Sequence, residues 1–153
     1  MSTYFKISAL DTGNSDRIPF IRKGHMRTKC MSQLRSLWCA HHLYCEEHGG
    51  TNPASMTTIA NEWPDAHLLF ICPSSDNKTG TLSKVSEWSS YTYVTNAGTN
   101  PDAVLYYCPP KNHGNKGGDV VTVEGSSLLV PKDRFLQVVK QGKSALNSDA
   151  DKR

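Results

Sequence analysis

Three side chains that bind borderline metals recur in one short stretch: His41, Cys45 and His48. On a helix their spacing of four and then three residues stacks them on one face. Imidazole and thiolate together form a zinc donor set, and a structural zinc centre takes four protein ligands. The fourth would have to come from His67, Cys72, Cys108 or His113. Cys39 and His42 make a further i, i+3 pair on the same stretch. These residues also have ordinary uses: His41 and Cys45 continue an apolar stripe, and His48 stands where a helix C-terminus favours a hydrogen-bond donor.

A second concentration of chemistry surrounds His113, flanked by Gly114, Gly117 and Gly118 and followed by Asp119. Glycines let backbone amides approach a ligand or one another closely, and Asp119 is placed to orient the imidazole. No phosphate-binding motif, carboxylate pair or Ser-His-Asp order accompanies them. His113 and Asp119 therefore read as a loop-structuring or ligand-binding pair, and no catalytic residue is named. The cofactor readings from these residues are none or zinc.

Five cysteines, Cys30, Cys39, Cys45, Cys72 and Cys108, leave at least one thiol unpaired in a monomer. Cys72-Pro73 and Cys108-Pro109 both end strand-like runs, and pairing of those runs would bring the two sulfurs together. A Cys72–Cys108 disulfide stands against buried free thiols as the alternative.

These side chains need elements to hold them. From Arg27 to His48 the apolar period is helical, with Cys30, Leu34, Leu37, Trp38, His41 and Cys45 on one stripe and Gly49-Gly50 as the stop. Ser55 to Trp63 makes a short second helix ended by Pro64. Leu68-Leu69-Phe70-Ile71-Cys72 reads as a buried strand, Pro73 to Ser86 as a loop, and Ser90 to Val94 and Ala103 to Cys108 as further strands. Alternation places Tyr106 and Tyr107 on opposite faces. Asp119 to Val123 and Ser126 to Val130 form a hairpin across Glu124-Gly125. Pro131 opens a last helix, with Phe135, Val138 and Val139 on one face and Gly142 at its end.

Helix followed by locally connected strands implies an α+β domain with an antiparallel sheet. Residues 1–26 read as an irregular arm, in which Gly24-His25-Met26 resembles a cloning junction, so a vector-derived origin for part of the arm stands as an alternative to a native one. Residues 27–142 are the globular domain and 143–153 a polar tail. The net charge of +3, from 17 basic and 14 acidic residues, is too small and too evenly spread to argue for nucleic-acid binding. Arg22, Lys23, Arg27 and Lys29 read as a solvated basic run. No stretch approaches the roughly 18 apolar residues of a membrane span.

Taken in order, Cys30 to Leu37, Leu43 to Gly50, Ile71-Cys72-Pro73-Ser74-Ser75, Ser90 to Val94 and residues 109–131 resemble the motifs of type II secretion pseudopilins and type IV pilin-like proteins. The resemblance spans about Arg27 to Gln141. It implies a pilin-like fold: a long N-terminal helix packed on a small antiparallel sheet, with a short C-terminal helix. It also implies a non-catalytic structural subunit of a fibre at the periplasmic face of the inner membrane, with other pilin or pseudopilin subunits and the secretion machinery as partners. Nucleic acid is not among those partners, and the membrane would be reached only through an N-terminal helix that this chain does not carry. The turn written Asp-Gly in that group is Glu124-Gly125 here. The resemblance also implies a calcium site near the C-terminal strands, for which Asp102, Asp119, or Asp76 with Asn77 would supply the oxygens, a sparse set for a cation that takes six or more. The competing expectation is a small metal- or ligand-binding module built on the helix His and Cys residues.

Overall fold

The computed structural model describes the backbone of residues 18–146 and side chains from residue 26 onward. The first helix, α1 (Ile18–Glu47), is longer than its apolar stripe. Pro19 lies in its first turn, where a missing N–H costs nothing, so the helix takes in residues 18–26 of what the sequence suggests is an irregular arm. Residues 1–17 of that arm, and 147–153 of the tail, lie outside the described residues. The stripe itself is as expected: Cys30, Leu34, Leu37 and His41 are buried.

Helix α2 (Met56–Glu62) runs between Ser55 and Trp63. The apolar run after it is no strand, because Pro64–Phe70 forms a 3-10 helix with Asp65 in its first turn. Short apolar runs do not separate strand from helix by period, and here Leu68 is 65% exposed while Phe70 is buried. The expected loop to Ser86 is broken by a 3-10 turn at Leu82–Lys84 and a one-turn helix, α3 (Val85–Trp88).

Four strands follow: β1 (Thr92–Tyr93), β2 (Val104–Cys108), β3 (Gly117–Thr122) and β4 (Ser127–Pro131). They pair antiparallel in sequence order, which makes the molecule α+β. The hairpin turn sits one residue earlier than the Glu124-Gly125 reading, since the Gly125 amide donates to the Thr122 carbonyl at 2.9 Å. Gly125 has φ +94°, and a Cβ there would lie 2.8 Å from the Trp38 ring. Turn conformation and helix packing both exclude a side chain.

Alternation divides the sheet between two cores. Tyr106, Cys108 and Val121 join Cys30, Leu34 and Leu37 of α1. Val104, Val120 and Val130 join Phe135 and Val138 of helix α4 (Lys132–Gln141). Tyr107 packs on the second core and Tyr106 in the first, as alternation predicts. A register shift between Val104 and Tyr106 lets both of those point to opposite faces. The last helix thus covers the far side of the sheet. Gly142 ends it, and residues 143–146 add one 3-10 turn.

Candidate metal centre

Beneath α1 four ligand atoms from four separate elements converge. The sulfurs of Cys30, Cys72 and Cys108 and one ring nitrogen of His113 all lie within 4.8 Å of one another. The three cysteines are fully buried.

Each ligand is placed by local chemistry. Cys30 faces the sheet because it belongs to the apolar stripe of α1. Cys72 follows the 3-10 helix, and its carbonyl accepts from both the amide (3.0 Å) and the hydroxyl (2.9 Å) of Ser75. Cys108 ends β2, and its sulfur accepts from Asn112 Nδ2 at 3.4 Å. His113 ends the 3-10 helix Pro110–His113, which doubles the chain back after Cys108. Its Nε2 is 3.5 Å from Cys30 Sγ and 3.8 Å from Cys72 Sγ.

Zinc bonds of about 2.3 Å to sulfur and about 2.0 to 2.1 Å to nitrogen, at tetrahedral angles, put S and N about 3.6 Å apart. The two S···N separations fall on either side of that value. The residues present fit zinc in ligand number and type and in these two separations.

Asp119 lies opposite Cys108 in the β2–β3 register. Its Oδ1 accepts from Nε and Nη2 of Arg27, both at 3.1 Å. Its Oδ2 is fully buried and 3.2 Å from His113 Nε2, yet receives no hydrogen bond, because that nitrogen is directed at the sulfurs. A buried carboxylate oxygen without a donor is costly, and positive charge beside it, on the His113 ring at ion-pair distance or on a cation held by the neighbouring sulfurs, offsets that cost. The arrangement also excludes a Cys-His-Asp relay, in which carboxylate and nucleophile occupy different ring nitrogens. Here both face Nε2.

The sulfurs do not share charge evenly. Hydrogen bonds from Cys108 and then Cys30 hold the Cys72 thiol far below its ordinary range. The partnership with Cys108 and Cys72, with burial, pushes Cys30 far above it. Burial alone would lower the His113 pKa, but Asp119 and then the Cys108 and Cys72 sulfurs raise it to about 11. These attractions favour negative charge on Cys72 and positive charge on His113, and a dication replacing the protons takes over the same attractions.

The helix trio has other employment. His41 is buried, with Nδ1 3.0 Å from Tyr106 Oη and Nε2 3.1 Å from Asn52 Oδ1. Cys45 Sγ donates to the same Asn52 oxygen at 3.4 Å. His48 Nδ1 lies 2.8 Å from the Tyr44 carbonyl, and its ring stacks on Tyr44. Both His41 nitrogens are taken up, so among the described residues the group that converges is the Cys30 set and not this one. His41 has a depressed pKa, chiefly through burial.

Cys72 and Cys108 do meet, as the disulfide expectation required, but as free thiols with Cys30 as a third. Cys30 reads from the sequence only as a core residue. The signal that could have marked it was three cysteines each ending or lining an apolar element, with His113 five residues after Cys108. Arg27, expected in a solvated run, is instead the clamp on Asp119. No oxygen-rich cluster of three or more acids comparable to a calcium site occurs among the described residues.

No protein-family model, curated protein or solved structure matches the chain. No described helix is long and apolar enough to cross a membrane.

Proposed function

We propose that the chain is a non-catalytic structural domain whose long helix is fastened to its sheet by zinc at Cys30, Cys72, Cys108 and His113. The observation that carries this reading is the convergence of four buried ligand atoms from four separate segments within 4.8 Å of one another, with the two S···N separations of 3.5 and 3.8 Å bracketing the value zinc imposes. Four protein ligands close a zinc sphere, whereas catalytic sites keep one position for water. The role is therefore a cross-link over long sequence separations, useful in a domain of this size.

Within that reading we place the domain among pilin-like or pseudopilin subunits, assembling at the periplasmic face of the inner membrane with like subunits and secretion machinery. Support comes from the ordered motifs between Arg27 and Gln141, and from an α+β layout in which α1 shares a core with an antiparallel sheet. Calcium is not part of the proposal.

Elemental analysis of protein purified in reductant tests the metal: one zinc per chain is expected, lost on Cys72→Ser and on His113→Ala. Protein that folds and takes up no added zinc overturns it. The pilin-like placement is tested on the gene upstream of residue 27. A prepilin-type apolar helix encoded there, and filaments formed by the protein carrying it, are expected; coding sequence without such a helix removes that placement and leaves the metal-binding module.

A further inference from the structure

We infer that the Cys30–Cys72–Cys108 cluster is also a disulfide-forming site, in which a peroxide-class oxidant converts the metal cross-link into a covalent one. The inference rests on the zinc reading for what is displaced, and on sulfur geometry for what is formed.

The three sulfurs lie within 4.8 Å of one another, so each has two partners within a side-chain rotation. Each joins a different element: α1, the segment after the 3-10 helix, and the end of β2. Any pair therefore cross-links distant parts of the chain without unfolding it. The remaining cysteines are separate from the cluster: Cys39 is exposed on α1, and Cys45 donates to Asn52. A cavity of about 700 Å³, lined by Met26, Arg27, Pro73, Asn112 and His113, reaches the cluster at His113 and is large enough for hydrogen peroxide, with the three buried sulfurs behind that lining.

The chemistry balances in two steps. A cysteine thiolate attacks one peroxide oxygen; an S–O bond forms, the O–O bond breaks, and hydroxide leaves. A second thiolate then attacks that sulfur; the S–S bond forms, the S–O bond breaks, and a second hydroxide leaves. Two sulfurs lose one electron each, and the two peroxide oxygens gain them. Only one thiolate and His113 then remain as metal ligands, too few for a closed site, and zinc is released.

Three sulfurs in one cluster also give a result that a simple pair cannot. The third thiolate attacks the new disulfide, breaking one S–S bond as another forms, so the link migrates among Cys30–Cys72, Cys72–Cys108 and Cys30–Cys108. Oxidation ends in a set of isomers within one fold.

The test is a titration of zinc-loaded protein with hydrogen peroxide. Zinc release is read with a metallochromic dye, thiols are counted in denaturant, and linkages come from peptide mapping after acid quench. Two thiols lost per zinc released, with links confined to residues 30, 72 and 108 and more than one pair present, is the expected result; dithiothreitol plus zinc restores the starting state. The same titration on Cys39→Ala/Cys45→Ala protein, which keeps the cluster whole, should be unchanged. Oxidation to sulfinic acid without a disulfide, links through Cys39 or Cys45, or zinc retained in excess peroxide overturns the inference. Protein that holds no zinc yet forms these links overturns the zinc reading alone.

Discussion

His113 Nε2 stands 3.2 Å from Asp119 Oδ2, but the oxygen accepts no hydrogen bond from it. The nitrogen points past the carboxylate into the three sulfurs. Asp119 thus contributes charge to the centre without occupying the ring, while Arg27 holds its other oxygen. Residues this close to a metal site commonly set its affinity through orientation and field. Asp119→Asn is accordingly expected to weaken zinc binding by about 10- to 100-fold with the fold retained. Competition against a chelator of known affinity, alongside circular dichroism, measures both.

The Arg27–Asp119 pair carries a stability consequence of its own. Breaking a buried pair from one side costs about 3 to 5 kcal/mol, and the low end applies because the Arg27 side chain is 23% exposed. Arg27→Met should lower the unfolding free energy from urea melts by about 3 kcal/mol, and Arg27→Met/Asp119→Asn should recover part of it. Equal midpoints for wild type and Arg27→Met would show that the pair contributes nothing.

The helix trio supplies a negative control with content. His48→Ala and Cys45→Ala leave the Cys30 set untouched and should keep full zinc stoichiometry by elemental analysis. Loss of zinc in either would return the metal to α1.

His41 makes stability pH-dependent. Burial lowers its folded-state pKa below the model-compound value of 6.5, so the unfolded chain binds more protons as pH falls through about 6.5. Stability contributed by neutral His41 is fully present above that pH and is lost below it, by about 1.4 kcal/mol for each unit of depression. Denaturant melts between pH 7.5 and 5.5 should show the loss, reduced in His41→Gln. A slope identical in the two proteins would remove His41 as its source.

The second core reaches the centre through Gly118. A Cβ there would fall 2.2 Å from the Phe135 ring and 2.6 Å from the Cys108 carbonyl. Gly118→Ala should destabilise by about 1 to 3 kcal/mol, the usual range for overpacking. Because one of the displaced groups is the backbone of a zinc ligand, metal affinity should fall as well. Melting with and without excess zinc separates the two effects.

Much of the architecture is legible in local pattern. The stripe from Cys30 to His41 repeats at helical spacing and buries Cys30, Leu34, Leu37 and His41, with Trp38 and Cys45 half-buried beside it; Gly142 ends α4; Tyr106 and Tyr107 divide between faces by the two-residue period of a strand. Leu68 to Cys72 failed because an apolar run of five carries no period long enough to choose a conformation, and Pro64 with Asp65 started a 3-10 helix instead. The start of α1 failed for a related reason: residues before Arg27 show no stripe, and Pro19 was the sole local mark of a helix beginning there.

For the centre, the sequence by itself determined the ligand types, the local Cys108 and His113 spacing, and the chance of Cys72 meeting Cys108. Only the tertiary structure decided that Cys30 joins them, that His41, Cys45 and His48 do not, and that Arg27 and Asp119 are partners 92 residues apart. Helical period ranks residues by which face they occupy, and on α1 it ranked Cys30 and His41 alike. Which of them finds sulfur and which finds tyrosine depends on what β2 and β3 present opposite each turn, and that is a property of register and packing with no local trace.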